Sequence, residues 1–168
     1  MTAIRVCATP IDLASEIADF FARNEGAGAI VHFIGRMRGT DGDARIVAME
    51  LEHYPGMCEA ELARIAEEVR ARFSLDDARI VHRIGRMTAG DPIVLVATAA
   101  RHRREAFAGA EALMDFLKTR APFWKKEHFA DGTSRWVEAR ESDERAAQRW
   151  VLPAESTGVK GRVDEEAP

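Results

Sequence analysis

Apolar residues recur along this chain with two distinct periods. Cys58, Leu62, Ile65, Val69 and Phe73 are spaced by four, three, four and four residues, which places them on one face of a long helix. A second long helix is expected from about Arg104 to Arg120, with Phe107, Ala110, Leu113, Met114 and Leu117 apolar, stopped by Pro122. Thr9-Pro10 reads as the N-cap and first position of an earlier helix running to about Asn24 and closed by Gly26. Between the helices lie short β-rich runs at Ile4–Ala8, Ala29–Gly35, Ile46–His53, Arg79–Ile84 and Ile93–Ala99. Arg36–Asp43 reads as a polar, glycine-rich loop, and Gly85–Asp91 as a turn. Phe123–Phe129 and Arg135–Glu138 form a hairpin around Asp131-Gly132. A short helix over Ser142–Trp150 closes the pattern. The interspersed helices and the antiparallel hairpin predict an α+β fold with a mixed or antiparallel sheet.

The 168 residues suit one domain, assigned to residues 1–150. Val151 to Pro168 carries four acids, two bases, two prolines and no aromatic residue, the composition of a mobile tail. The longest uncharged apolar stretch, Pro92–Ala100, has nine residues, and a membrane span needs about 20. Arg5 and Asp12 interrupt any apolar core of a secretory signal. The two cysteines, Cys7 and Cys58, form no CxxC pair, which fits a reducing cytoplasm. The net charge of −4 argues against a nucleic-acid surface, but it is unevenly spread. Residues 101–126 carry +4, leaving −8 elsewhere, so a confined anion site is expected.

That basic segment holds the candidate chemistry. Arg101-His102-Arg103-Arg104 opens a helix, where cations oppose the macrodipole and anions are favoured. Lys118 falls about 20° from Phe107 in helical projection, in a stripe with Glu111 and Met114. A lysine there is either partly desolvated and reactive, or snorkels and pairs with Asp115 three residues earlier. Strand alternation puts Lys125 with Phe123 and Glu127, and Lys126 with Trp124. Only one of the two lysines can meet Lys118, and spacing does not choose between them. Arg36 and Arg38 in the glycine-rich loop are placed to clamp an anion, or to lie in solvent. The five histidines show no HxH or HxxxH spacing, so a zinc site is not expected. No phosphate loop, GxGxxG or GxSxG motif occurs.

Several runs resemble the molybdopterin synthase catalytic (large) subunit family. They are Leu51-Glu52-His53-Tyr54-Pro55-Gly56-Met57, Val81-His82-Arg83-Ile84-Gly85 and Gly90-Asp91. The longest are Met114 to Lys125, including Lys118-Thr119-Arg120-Ala121-Pro122-Phe123-Trp124-Lys125, and Arg135 to Ser142. The resemblance spans roughly residues 29–150 and implies an α/β hammerhead-type fold with an additional antiparallel β-sheet. It implies a homodimer at the centre of a heterotetramer, each copy binding a small ubiquitin-like subunit with a C-terminal Gly-Gly thiocarboxylate. Sulfur then passes to cyclic pyranopterin monophosphate, forming the dithiolene of molybdopterin, with no metal or resident cofactor. Lys118 and Lys125 match the family's catalytic lysines. Arg38, His102, Arg103 and Arg140 match positions that bind the substrate and its phosphate, and Phe33 and Met114 match pocket walls. Two other classes remain to be distinguished. One is a module that grips the small subunit's tail without chemistry, and the other is a general phosphate-binding protein.

Overall fold

The computed structural model describes residues 2–138 and 141–150. Strand β1 (Thr2–Cys7) leads into helix α1 (Leu13–Arg23) and strand β2 (Ala29–Arg36). A two-residue strand β3 (Thr40–Asp41) turns into β4 (Ala44–His53), followed by helix α2 (Met57–Arg72). Strands β5 (Asp77–Arg83), β6 (Gly85–Met87) and β7 (Pro92–Ala100) precede the longest helix, α3 (Arg103–Arg120). Strands β8 (Phe123–Phe129) and β9 (Ser134–Val137) and helix α4 (Glu141–Gln148) complete the order. The expected tail, 151–168, lies outside the described residues.

Four strands form one mixed sheet in the order β1-β5-β7-β2. Only β1 and β5 run parallel, and the other two pairings are antiparallel. Strand β7 is covered on both faces, which explains why it reads as a continuous apolar run rather than an alternation. On one face α2 and α3 bury Leu62, Ile65, Val69, Leu113 and Phe116 against Ile80 and Val96. On the other, α1 seats Phe20 against Ala97 and Ala99. The helical stripe of Cys58, Leu62, Ile65 and Val69 is wholly buried, as its spacing requires.

The second sheet is antiparallel, with β3, β4, β8 and β9 in order and β6 pairing with β4 on the edge away from β8. Its inner face contributes Met49, Leu51 and Met87 to a smaller core beside Phe123. The α+β architecture with an added antiparallel sheet is therefore as expected.

Local differences from the sequence reading have local causes. Helix α1 starts at Leu13, not Pro10, because Asp12 is the N-cap; its carboxylate accepts from Ser15 N at 3.1 Å. The 85–91 turn contains β6, whose three residues take strand form by pairing with Met49–Leu51. Within the polar loop, Thr40–Asp41 likewise pairs back on Ala44–Arg45. Three- and two-residue strands carry no readable period of their own.

One glycine fixes a tertiary junction. A Cβ on Gly28 would stand 2.2 Å from the Arg101 carbonyl oxygen, so only glycine lets β2 begin beside the β7–α3 corner.

Candidate active site

The cavity between the two sheets has a volume of about 460 Å³. It receives side chains from four directions. The end of β2 supplies Phe33, and the following loop supplies Arg36 and Arg38. The C-terminal end of α3 supplies Met114, Leu117 and Lys118. Strand β8 supplies Phe123, Lys125 and Glu127, and α4 supplies Ser142 and Asp143. Pro122 produces this convergence: it ends α3, and β8 turns back beside it, so residues seven apart in sequence face one space.

The orientation of β8 puts Lys125, not Lys126, in the cavity. Lys125 and Glu127 line the cavity, whereas Lys126 lies on the opposite face, its Nζ 5.4 Å from the centre of the Trp136 ring. Lys125 Nζ lies 2.9 Å from Glu127 Oε1, and the Glu127 side chain is only 9% exposed. Arg135 approaches the other carboxylate oxygen of Glu127 at 3.4 Å and Asp41 at 3.3 Å. Glu127 thus holds Lys125 against the inner wall and is tied, through Arg135, to the loop that carries Arg38.

Lys118 differs from both readings of its stripe. Its side chain is 54% exposed, so burial within the chain does not desolvate it. Its partner is not Asp115 but Asp143 of α4, at 3.4 Å. Asp115 is taken by tertiary contacts, accepting from Arg149 at 2.8 Å and from Trp150 Nε1 at 2.7 Å. Phe107 at the start of the stripe is 62% exposed, while Met114 is half-buried at the cavity.

Two other lining groups were not singled out from the sequence. His82, at the buried end, stacks on Phe123 with ring centres 4.0 Å apart. Burial pushes its imidazole down to about 4. Asp143 comes from a helix 25 residues beyond Lys118, and nothing in local spacing announces it. The same lining carries the cations Arg36, Arg38, Lys118 and Lys125 and the carboxylates Asp41, Glu127, Glu138 and Asp143. Two of these cations, Lys118 and Lys125, are ion-paired, to Asp143 and Glu127, and an anionic ligand can exchange with those carboxylates.

His102 and Arg103 do not line this cavity. They sit exposed at the N-terminal end of α3, with His102 as N-cap. Sixteen residues of helix separate His102 from Lys118, about 24 Å at 1.5 Å per residue. Arg140 lies outside the described residues. Among the described residues, no group of three or more histidine, cysteine, aspartate or glutamate side chains is arranged to hold a metal ion.

The profile of the MoaE protein family matches residues 6–120. The chain belongs to that family. A molybdopterin synthase catalytic subunit from Cereibacter sphaeroides is 53% identical over 147 residues, covering 88% of this chain and 99% of that protein. The molybdopterin biosynthesis MoaE protein from Burkholderia ambifaria is similar in structure, with a TM-score of 0.77 at 48% identity, covering 91% of this chain and all of the other. The crystal structure of molybdopterin synthase from Staphylococcus aureus gives 0.73 at 33% identity, covering 80% of this chain and 96% of that one. The MoaE-family chain is therefore an enzyme of molybdenum cofactor biosynthesis, and its fold is that of solved members.

Proposed function

We propose that this chain is the sulfur-transferring subunit of a molybdopterin synthase. It takes sulfur from the C-terminal thiocarboxylate of a small ubiquitin-like subunit and delivers it to cyclic pyranopterin monophosphate, opening the cyclic phosphate. The observation that carries this reading is the convergence of Lys118 and Lys125, from α3 and β8, on one cavity.

The chain's residues divide the work. Arg38, exposed on the loop at the cavity mouth, neutralises the substrate phosphate. An exposed ion pair like Lys118–Asp143 is worth less than about 1 kcal/mol, so an arriving anion releases Lys118. Its ammonium then hydrogen-bonds the oxygen that leaves as the thiocarboxylate sulfur bonds to carbon, and donates the proton; water then cleaves the resulting thioester, leaving the tail as a carboxylate and the sulfur on the product. Lys125, fixed by Glu127, offsets negative charge on the donor's carboxyl end. Phe33 and Met114 form apolar walls of the cavity. No metal or resident cofactor enters, because the nucleophilic sulfur comes with the partner.

His102 and Arg103 serve a cavity only in a second copy of the chain. Strand β2 is the edge of its sheet, and its Ala29 end pairs with Ala100, next to these residues. Its other end reaches the cavity, about 23 Å away at 3.3 Å per residue. Two β2 edges paired antiparallel about a twofold axis would set one copy's His102 and Arg103 beside the partner's cavity.

The free thiols of Cys7 and Cys58 are compatible with a reducing compartment and support the cytoplasm as the setting of the reaction. Reconstitution tests the reading. Purified chain, thiocarboxylated small subunit and cyclic pyranopterin monophosphate should yield dithiolene product, and nucleotides should not compete. A stable complex that makes no product would leave only a tail-binding module.

A further inference from the structure

The buried end of the cavity carries a polar atom that sulfur transfer does not use. His82 lies near the end of β5, 8% exposed, with its ring face against Phe123 at an interplanar angle of 19°. Its register partner on β7 is Val94, which also lines the cavity. Nδ1 sits 3.0 Å from the Arg83 carbonyl oxygen. A carbonyl only accepts, so Nδ1 carries the hydrogen and Nε2 carries a lone pair. Desolvation holds the ring neutral down to about pH 4. No donor among the described residues reaches Nε2, and the ring lines the cavity.

We propose that His82 Nε2 is a positioning acceptor that takes a hydrogen bond from an N–H of the bound ligand, which makes the cavity selective for an N–H-bearing group at its apolar end. Two components of the reaction offer that group, the reduced pterin ring and the last peptide bond of the donor's tail. The inference rests on the functional reading above. Its physical content is the asymmetry of buried hydrogen bonding. A ligand that brings N–H pairs with an acceptor for which no protein donor is seen among the described residues, whereas one that presents a carbonyl or ether oxygen there sets lone pair against lone pair.

His82→Phe keeps a ring against Phe123 and removes the acceptor. His82→Gln restores an acceptor oxygen at similar reach. Both are measured in the full chain complexed with its small subunit, alongside thermal melts. If the pterin is the donor, His82→Phe raises KM for cyclic pyranopterin monophosphate about tenfold. In that case kcat stays within about twofold, affinity for the small subunit is unchanged, and His82→Gln recovers most of the loss. If the tail peptide is the donor, affinity for the small subunit falls instead, with the same rescue. Neither quantity moving, or a loss that tracks a lowered Tm and resists rescue by Gln, overturns the proposal. Direct titration of the pyranopterin into wild-type and His82→Phe protein reads the acceptor without turnover. Failure of wild type to make product would count against the functional reading alone.

Discussion

Glu127 and Lys125 share the inner face of β8, and their side chains meet at 2.9 Å with the carboxylate almost fully buried. The pair fixes a long, flexible ammonium at one point of the cavity wall. Glu127→Gln keeps the shape and removes the charge. It should lower kcat about tenfold, which is about 1.4 kcal/mol of transition-state stabilisation. Fold stability should fall by no more than about 1 kcal/mol, since Lys125 is partly exposed. Steady-state kinetics beside a denaturant melt checks both, and an unchanged kcat would show that Lys125 needs no holder.

Asp115 anchors the two residues described just after helix α4. Asp115 takes both Arg149 and the Trp150 indole N–H, while Phe73 meets the Trp150 ring edge-on at 5.4 Å. Asp115→Ala leaves the Trp150 indole N–H unmet, while Arg149 keeps Glu111 at 2.6 Å, and should cost on the order of 1–2 kcal/mol. For a chain of this size that corresponds to a Tm about 3–6 °C lower. Hydrogen exchange should quicken first in residues 141–148. Because Asp143 rides on this helix, Lys118 should also lose its partner in the variant.

His82 gives the fold a defined acid sensitivity. Unfolded, its imidazole binds a proton near pH 6.5; folded, only near about 4. The unfolded state therefore binds more protons across this window, so stability falls as pH is lowered through it. The contribution is complete above about pH 6.5 and is lost as pH drops to about 4, amounting to on the order of 3 kcal/mol. His82→Phe lacks this titration. Urea melts between pH 4 and 7 should show a flatter pH dependence for the variant, and parallel curves would contradict the assignment.

What could be read from the sequence follows from how local each feature is. Helix α2 was legible because its contacts all lie on one stripe of a regular helix. Strand β7 was legible because an apolar run of nine cannot face water. The alternation of β8 correctly grouped Lys125 with Phe123 and Glu127. It could not decide which lysine meets Lys118, because that depends on how β8 folds back on α3. Partners from distant elements were invisible. One of the two readings of Lys118 paired it with Asp115, but Arg149 and Trp150 take that carboxylate, and Asp143 arrives from another helix. His102 and Arg103 were grouped with the site by resemblance, yet in one chain they stand a helix length away.

That separation makes a prediction about assembly. If each cavity uses His102 and Arg103 of a second copy, Lys118→Ala and Arg103→Ala chains should complement each other. Each alone is inactive. In a random mixture half the dimers are mixed, and each mixed dimer holds one intact site, so activity should return to about a quarter of wild type. No recovery after subunit exchange, with dimers present by sizing, would place those residues outside the site.

The central claim is that Lys118 and Lys125 make this cavity a sulfur-transfer site. The most direct test is single-turnover product formation by Lys118→Ala, with binding of the small subunit measured in parallel. The account predicts that the complex forms with wild-type affinity while dithiolene formation drops at least a hundredfold, about 2.7 kcal/mol in the barrier. Near-normal product formation by that variant would contradict it.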